Sequence, residues 1–219
     1  SAVTELRDAS TTSEELRGEL TPLIRWIEEK EEEQHLEIVV FGTISSGKSS
    51  LLNALAGRDV FATDLKGGTT IERNTIPWPG HDQVVLVDTP GLGEVDGGSR
   101  QHVAAEAAKD ADLVLVVVDG PLRDSEFQLL QTLADMEKRV VICLNKEDWY
   151  VDRDRDALLG QIRRQVTEFV EPANVLAVRS RPTFRERIRV LPDGRESAEQ
   201  IEEQPDIQAL AQCMIQIVK

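Results

Sequence analysis

Leu36-Glu-Ile-Val-Val-Phe-Gly-Thr-Ile-Ser-Ser-Gly-Lys-Ser-Ser50 carries an apolar strand pattern directly into GxxxxGKS. A buried strand, a glycine-rich turn and a helix opening near Lys48 are the predicted elements, and together they form a grip for the phosphates of a nucleotide. Successive backbone N–H groups converge on anions in such a turn, and the helix start adds its positive dipole end. Lys48 is placed to reach the outer phosphates and the Ser49 hydroxyl to bind Mg²⁺. Thr43, Ser45, Ser46, Gly47, Lys48, Ser49 and Ser50 are the candidate phosphate contacts. A chance match in a surface loop is the competing reading. Leu51, Leu52, Ala54 and Leu55, a helical face straight after the motif, argue against it.

The 219 residues suffice for one large domain with a sheet covered on both faces, or a domain plus an appended element. A net charge of -15 opposes broad binding to nucleic acid or an anionic membrane, so no direct nucleic-acid contact is expected from this segment. Cys143 and Cys213 give neither a disulfide framework nor metal-ligand spacing, and read as buried free thiols of a cytoplasmic protein. No stretch reaches the roughly 18 to 20 apolar residues of a membrane span. The start at Ser1-Ala2, without Met, reads as an excised domain, and membrane association is expected only through segments outside this chain.

Two domains are expected: an N-terminal helical extension over residues 1–35 and a nucleotide-binding domain over 36–219. Leu16, Leu20, Leu23, Ile24 and Ile27 recur at helical spacing in the extension, behind a Thr12/Glu15 capping box. From residue 36, strand-like runs alternate with helical patterns, which predicts an α/β fold with a mostly parallel sheet. Strands are expected over 37–41, 83–87, 113–118, 139–144 and 174–178. A further strand over 75–78 would pair antiparallel through Pro79-Gly80. Helices are expected over 48–56, 100–109, 125–136, 153–170 and 206–218, with a small hairpin within 183–195.

Two further motifs stand at predicted strand ends. Val84–Val87 leads into Asp88-Thr-Pro-Gly91, placing a carboxylate where open α/β sheets bind ligands. Asp88 is the candidate Mg²⁺ partner and Gly91 the candidate γ-phosphate contact. The alternative is a plain turn. The run over 139–144 delivers Asn145-Lys-Glu-Asp148. An ionised Asp148 is an acceptor-only fork that suits the N1–H and N2–H₂ donors of guanine and is left unpaired by adenine. Lys146 would lie over the base plane, and Asn145 would tie loops together. Between the first two motifs, Gly67-Gly-Thr-Thr70 suits a switch loop, with Thr70, rather than Thr69, on Mg²⁺ and the attacking water. A ligand-free surface loop is the competing reading there.

Phosphate loop, threonine loop, DTPG and NKED, in this order, resemble the TRAFAC-class P-loop GTPases, nearest the Era-like (HSR1-related) families. The likeness covers about residues 36–180. It implies a three-layer Ras-like domain, GTP and GDP as ligands, Mg²⁺ dependence and a slow switch-type GTP hydrolysis involving Ser45, Lys48, Thr70 and Gly91. It also implies stimulation by a protein effector or by nucleotide-dependent dimerisation. The phosphate loop is similar to that of dynamin-like proteins too, where a serine at the Ser45 position assists hydrolysis; a dynamin-like membrane-associated GTPase and a nucleotide-sensing module without turnover are the alternatives. Three features depart from the pattern. Leu92 replaces the water-orienting glutamine, Ser45 replaces an asparagine tied to potassium, and Val178-Arg179-Ser180 replaces the Ser-Ala-Lys loop at the guanine oxygen. Arg179 and Ser180 are the corresponding base-loop candidates.

Overall fold

The computed structural model describes residues 35–61, 74–89, 105–190 and 196–218. The chain divides into units Ser1–His35 and Leu36–Lys219, and the second is described below. The expected N-terminal helix lies outside the described residues.

Among the described residues, six strands form one sheet in the order β2-β3-β1-β4-β5-β6. They are β1 (Leu36–Gly42), β2 (Asn74–Trp78), β3 (His81–Asp88), β4 (Leu113–Val118), β5 (Val140–Leu144) and β6 (Val175–Ala177). All neighbours are parallel except β2 and β3, which pair antiparallel across Pro79-Gly80 as expected. Every residue of β4 and β5 is buried, which is why both read as unbroken Val, Ile and Leu runs rather than as alternating ones. Among the described strands β2 is at the edge of the sheet, where Pro77 and its missing N–H are tolerated.

Successive side chains of one strand point to opposite faces, and this builds two cores. Val39, Phe41, Val114, Val116, Ile142 and Leu144 face one layer, packed with Leu129, Leu130 and Leu133 of helix α2 (Asp124–Asp135) and Ile162 and Val166 of α3 (Asp152–Val166). Ile38, Val40, Leu115, Val117 and Cys143 face the other, with Leu51, Leu52 and Leu55 of α1 (Lys48–Ala56) and Leu210 and Met214 of α4 (Gln208–Val218). The result is the expected three-layer arrangement.

Several boundaries differ from expectation for local reasons. Helix α3 ends at Val166 and not at residue 170, with Phe169 and Val170 both turning back onto the Val166 carbonyl. Helix α4 starts at Gln208 because Asp206 is held in a backbone bridge with Arg179. The hairpin is longer than predicted: β7 (Thr183–Val190) pairs with β8 (Glu196–Glu203), so the second strand covers a polar stretch whose alternation is hidden by glutamates. Of the helix expected over 100–109, residues 105–108 are helical and 100–104 lie outside the described residues. No helix among the described residues is long and apolar enough to cross a membrane.

Candidate functional site

The phosphate loop links β1 to α1, and two glycines make it possible. Gly47 adopts φ 96, a left-handed conformation that L side chains rarely take, and a Cβ there would run into the Asn145 carboxamide. At Gly42 a Cβ would stand 2.5 Å from both the Ser46 hydroxyl and the Val117 carbonyl. Helix α1 begins without a side-chain cap and without an acid in its first turn, leaving its leading N–H groups to an anion. Lys48 Nζ donates to the Gly42 and Thr43 carbonyls, each at 3.2 Å, and is thereby folded back over the loop. Ser45 takes φ 66 at the tip of the loop.

The other motifs close around this loop through hydrogen bonds. Ser49 Oγ donates to Asp88 Oδ2 at 3.2 Å, so the two expected Mg²⁺ partners meet. One hydroxyl and one carboxylate are hard oxygen donors, and Mg²⁺ takes its remaining ligands from water and phosphate, so this pair fits the ion. Among the described residues no cluster of three His, Cys, Asp or Glu side chains competes as a metal site. Thr89 anchors the same strand end by donating to the Val40 carbonyl at 2.6 Å.

Asn145 is 1% exposed and joins three segments. Its Nδ2 donates to the Ser46 carbonyl at 2.9 Å and its Oδ1 accepts the Ser180 N–H at 3.3 Å. Lys146 sits at φ 60, with Nζ 2.9 Å from Asp119 Oδ2 and 4.3 Å from the Trp149 ring centroid. Asp148 is exposed in a 3-10 turn over Glu147–Trp149. Burial pushes the neighbouring Glu147 carboxyl above its ordinary value, Asp206 adding to the shift and Arg155 and Arg179 opposing it.

One placement differs from the sequence reading. The Arg179 side chain is committed to the hairpin base, at 3.2 Å from Glu203 and donating to the Gln204 carbonyl at 3.0 Å, so it does not join the other site residues. Trp149 is 68% exposed, with the Lys146 ammonium over its ring. The Ser50 hydroxyl accepts from Arg181 Nε at 2.9 Å. Thr70 and Gly91, like Leu92, lie outside the described residues.

Sequence reasoning passed over Asp119, Arg123 and Glu126, which surround Thr43 and Lys146. A strand-end aspartate after β4 and a glutamate three residues past the Arg123 helix start were the available signals.

Residues 37–146 match the model of the 50S ribosome-binding GTPase family, MMR_HSR1. The chain belongs to that family. GTPase Era of Brucella suis biovar 1 (strain 1330) is 33% identical over 140 residues, which cover 61% of this chain and 43% of that protein. This member of the family thus spans less than half the length of that relative. The structure of an Aquifex aeolicus Era variant bound to GDP.AlF4- is similar at TM-score 0.56 and 26% identity, over 66% of this chain and 50% of that one. An Era complex with MgGDPNP and nucleotides 1506–1542 of 16S ribosomal RNA is similar at TM-score 0.57 and 25% identity, over 67% of this chain and 51% of that one. That neighbour holds RNA, which runs against extending the charge-based expectation of no nucleic-acid contact to the family. The fold class, the P-loop GTPase family and the Era likeness expected from the motifs agree with these matches. The dynamin-like alternative draws no support from them.

Proposed function

We propose that residues 36–219 form a guanine-nucleotide switch that binds GTP with Mg²⁺ and hydrolyses it to GDP and phosphate. The carrying observation is the convergence of Ser46, Asn145 and Ser180 by direct hydrogen bonds, beside the Ser49–Asp88 contact. The family match and the nucleotides bound by the Era neighbours support the same reading.

Lys48 leaves its two carbonyls for the β- and γ-phosphates, and the N–H groups of residues 43–50 take the remaining charge. Ser49 and Asp88 are the residues to hold Mg²⁺, which neutralises charge developing on the phosphates. Asp148 reads the guanine edge, and Lys146 covers its face. Thr70 and Gly91 are proposed to follow the γ-phosphate and release on its loss, the two-state element read by an effector or a second copy. With Leu92 in the glutamine position, unaided turnover is slow, and the Ser45 hydroxyl at the loop tip is the proposed local assistant. Two free thiols, Cys143 buried and Cys213 half-buried, support a cytoplasmic, reducing setting.

Multiple-turnover phosphate release from GTP, beside ATP and beside GTP with EDTA, tests the proposal. Release from GTP alone, lost on chelation, is expected. Tight GTP binding with no release even at high protein concentration would instead favour the nucleotide-sensing module that Leu92 suggests.

A further inference from the structure

Five side chains outside or at the edge of the nucleotide motifs form one continuous polar chain. Asp119, directly after β4, divides its carboxylate: Oδ2 accepts Lys146 Nζ at 2.9 Å and Oδ1 accepts Arg123 Nη2 at 3.1 Å. Arg123 Nη1 donates in turn to Thr43 Oγ1 in the phosphate loop. The Thr43 hydroxyl donates to Glu126 Oε1 at 3.3 Å, and Glu126 Oε2 accepts the Arg123 backbone N–H at 2.9 Å. Signs alternate along the chain, each acceptor is used once or more, and Glu126 is 1% exposed.

A helix cap does not require this arrangement. The cap of α2 needs the Glu126 carboxylate on the Arg123 N–H. It needs neither the Arg123 guanidinium, nor Asp119, nor the Thr43 hydroxyl. Those groups are spent on the two residues that flank the nucleotide from opposite ends. Thr43 carries one of the carbonyls on which Lys48 rests, so whatever fixes Thr43 fixes the start of the phosphate grip. Lys146 has a flexible four-carbon stem, and pinning its ammonium on Asp119 spreads that stem into a fixed apolar plate. Fixing a long side chain before the ligand arrives removes an ordering cost from binding.

We propose that Asp119, Arg123 and Glu126 are positioning residues for guanine nucleotide, Asp119 setting the base-covering Lys146 and the Arg123–Glu126 pair setting the phosphate loop through Thr43. The proposal rests on the nucleotide-binding reading above. It divides the work by ligand part: Asp119 serves the nucleoside end, common to GDP and GTP, whereas Arg123 serves the phosphate end.

Stopped-flow dissociation of fluorescent GDP and a GTP analogue from the full chain tests this, with thermal unfolding as the check on folding. Asp119→Asn, which keeps size and one acceptor, is expected to speed release of both nucleotides about tenfold, as loss of a charged hydrogen bond does. Arg123→Gln is expected to weaken the GTP analogue several-fold more than GDP, with Arg123→Lys restoring part of the loss. In a Lys146→Met background, which keeps the apolar stem, Asp119→Asn is expected to add almost nothing, because the two residues act as one unit. Equal, additive losses in both backgrounds, or unchanged release in both single variants, overturn the positioning role while wild-type binding leaves the nucleotide reading intact. Should Asp119→Asn lower the unfolding midpoint sharply, the GTP-to-GDP ratio in Arg123→Gln still decides. Wild-type protein that binds neither nucleotide overturns both readings.

Discussion

The Asn145 carboxamide donates to the Ser46 carbonyl at 2.9 Å, so a residue at the end of β5 closes a loop that begins 99 positions earlier. Both groups are almost fully buried, and the other end of the same carboxamide accepts from Ser180. Asn145→Ala leaves a carbonyl and an N–H without these partners inside the protein. Stability is expected to fall by about 2 kcal/mol in urea unfolding, and nucleotide release to quicken. An unmoved urea midpoint would show that water replaces the carboxamide at no cost.

Lys48 Nζ donates to the Gly42 and Thr43 carbonyls, which holds its ammonium over the phosphate loop. Lys48→Ala removes that cation from the phosphate grip. Calorimetric titration with GTP is expected to lose its signal while the circular dichroism spectrum is kept. Retained GTP affinity would remove Lys48 from the phosphate grip.

Asp148 is held at the surface end of a short turn, with its carboxylate open to a ligand edge. Asp148→Asn replaces one acceptor by a donor, which suits xanthine and repels guanine. A shift of preference by about two orders of magnitude in competition between GDP and XDP is expected. An unshifted competition would take this carboxylate out of base recognition.

Burial raises the Glu126 carboxyl above its ordinary value of 4.5, against the lowering influence of the Arg123 N–H, the Arg123 charge and the Thr43 hydroxyl. The folded protein then holds a proton on Glu126 at pH values where the unfolded chain has lost it. Its contribution to stability is fully present below 4.5 and declines as pH rises through the higher folded-state value. Subtracting the pH profile of Glu126→Gln from that of the wild type, in urea unfolding from about pH 4 to about pH 7, is expected to give this downward slope. A difference that rises with pH would mean that the Arg123 charge outweighs burial.

Most of the layer order was readable from residue patterns because strands buried on both faces leave nothing to misread. The run over 113–118 coincides with β4, and Lys48–Ala56 with α1. The second hairpin strand was missed for the opposite reason. Glu196–Glu203 is polar on both faces, so its pairing rests on register with β7 and on ion pairs such as Arg185 with Glu203, which no single strand announces. Arg179 shows the same limit on a smaller scale: its neighbour in sequence, Ser180, reaches Asn145, whereas its own side chain turns to Glu203.

The residues alone determined that a phosphate-loop motif, the DTPG motif and the NKED motif follow three buried strands, because backbone chirality and side-chain burial are local and periodic. What folding in three dimensions decided is which groups from distant segments share a hydrogen bond. Asn145 with Ser46, Ser49 with Asp88, and Asp119 with Lys146 are brought within 2.9 to 3.2 Å by parallel strands lying side by side. Such contacts depend on which strands far apart in the chain become neighbours, and the burial pattern of one strand selects its inward face without naming its partner.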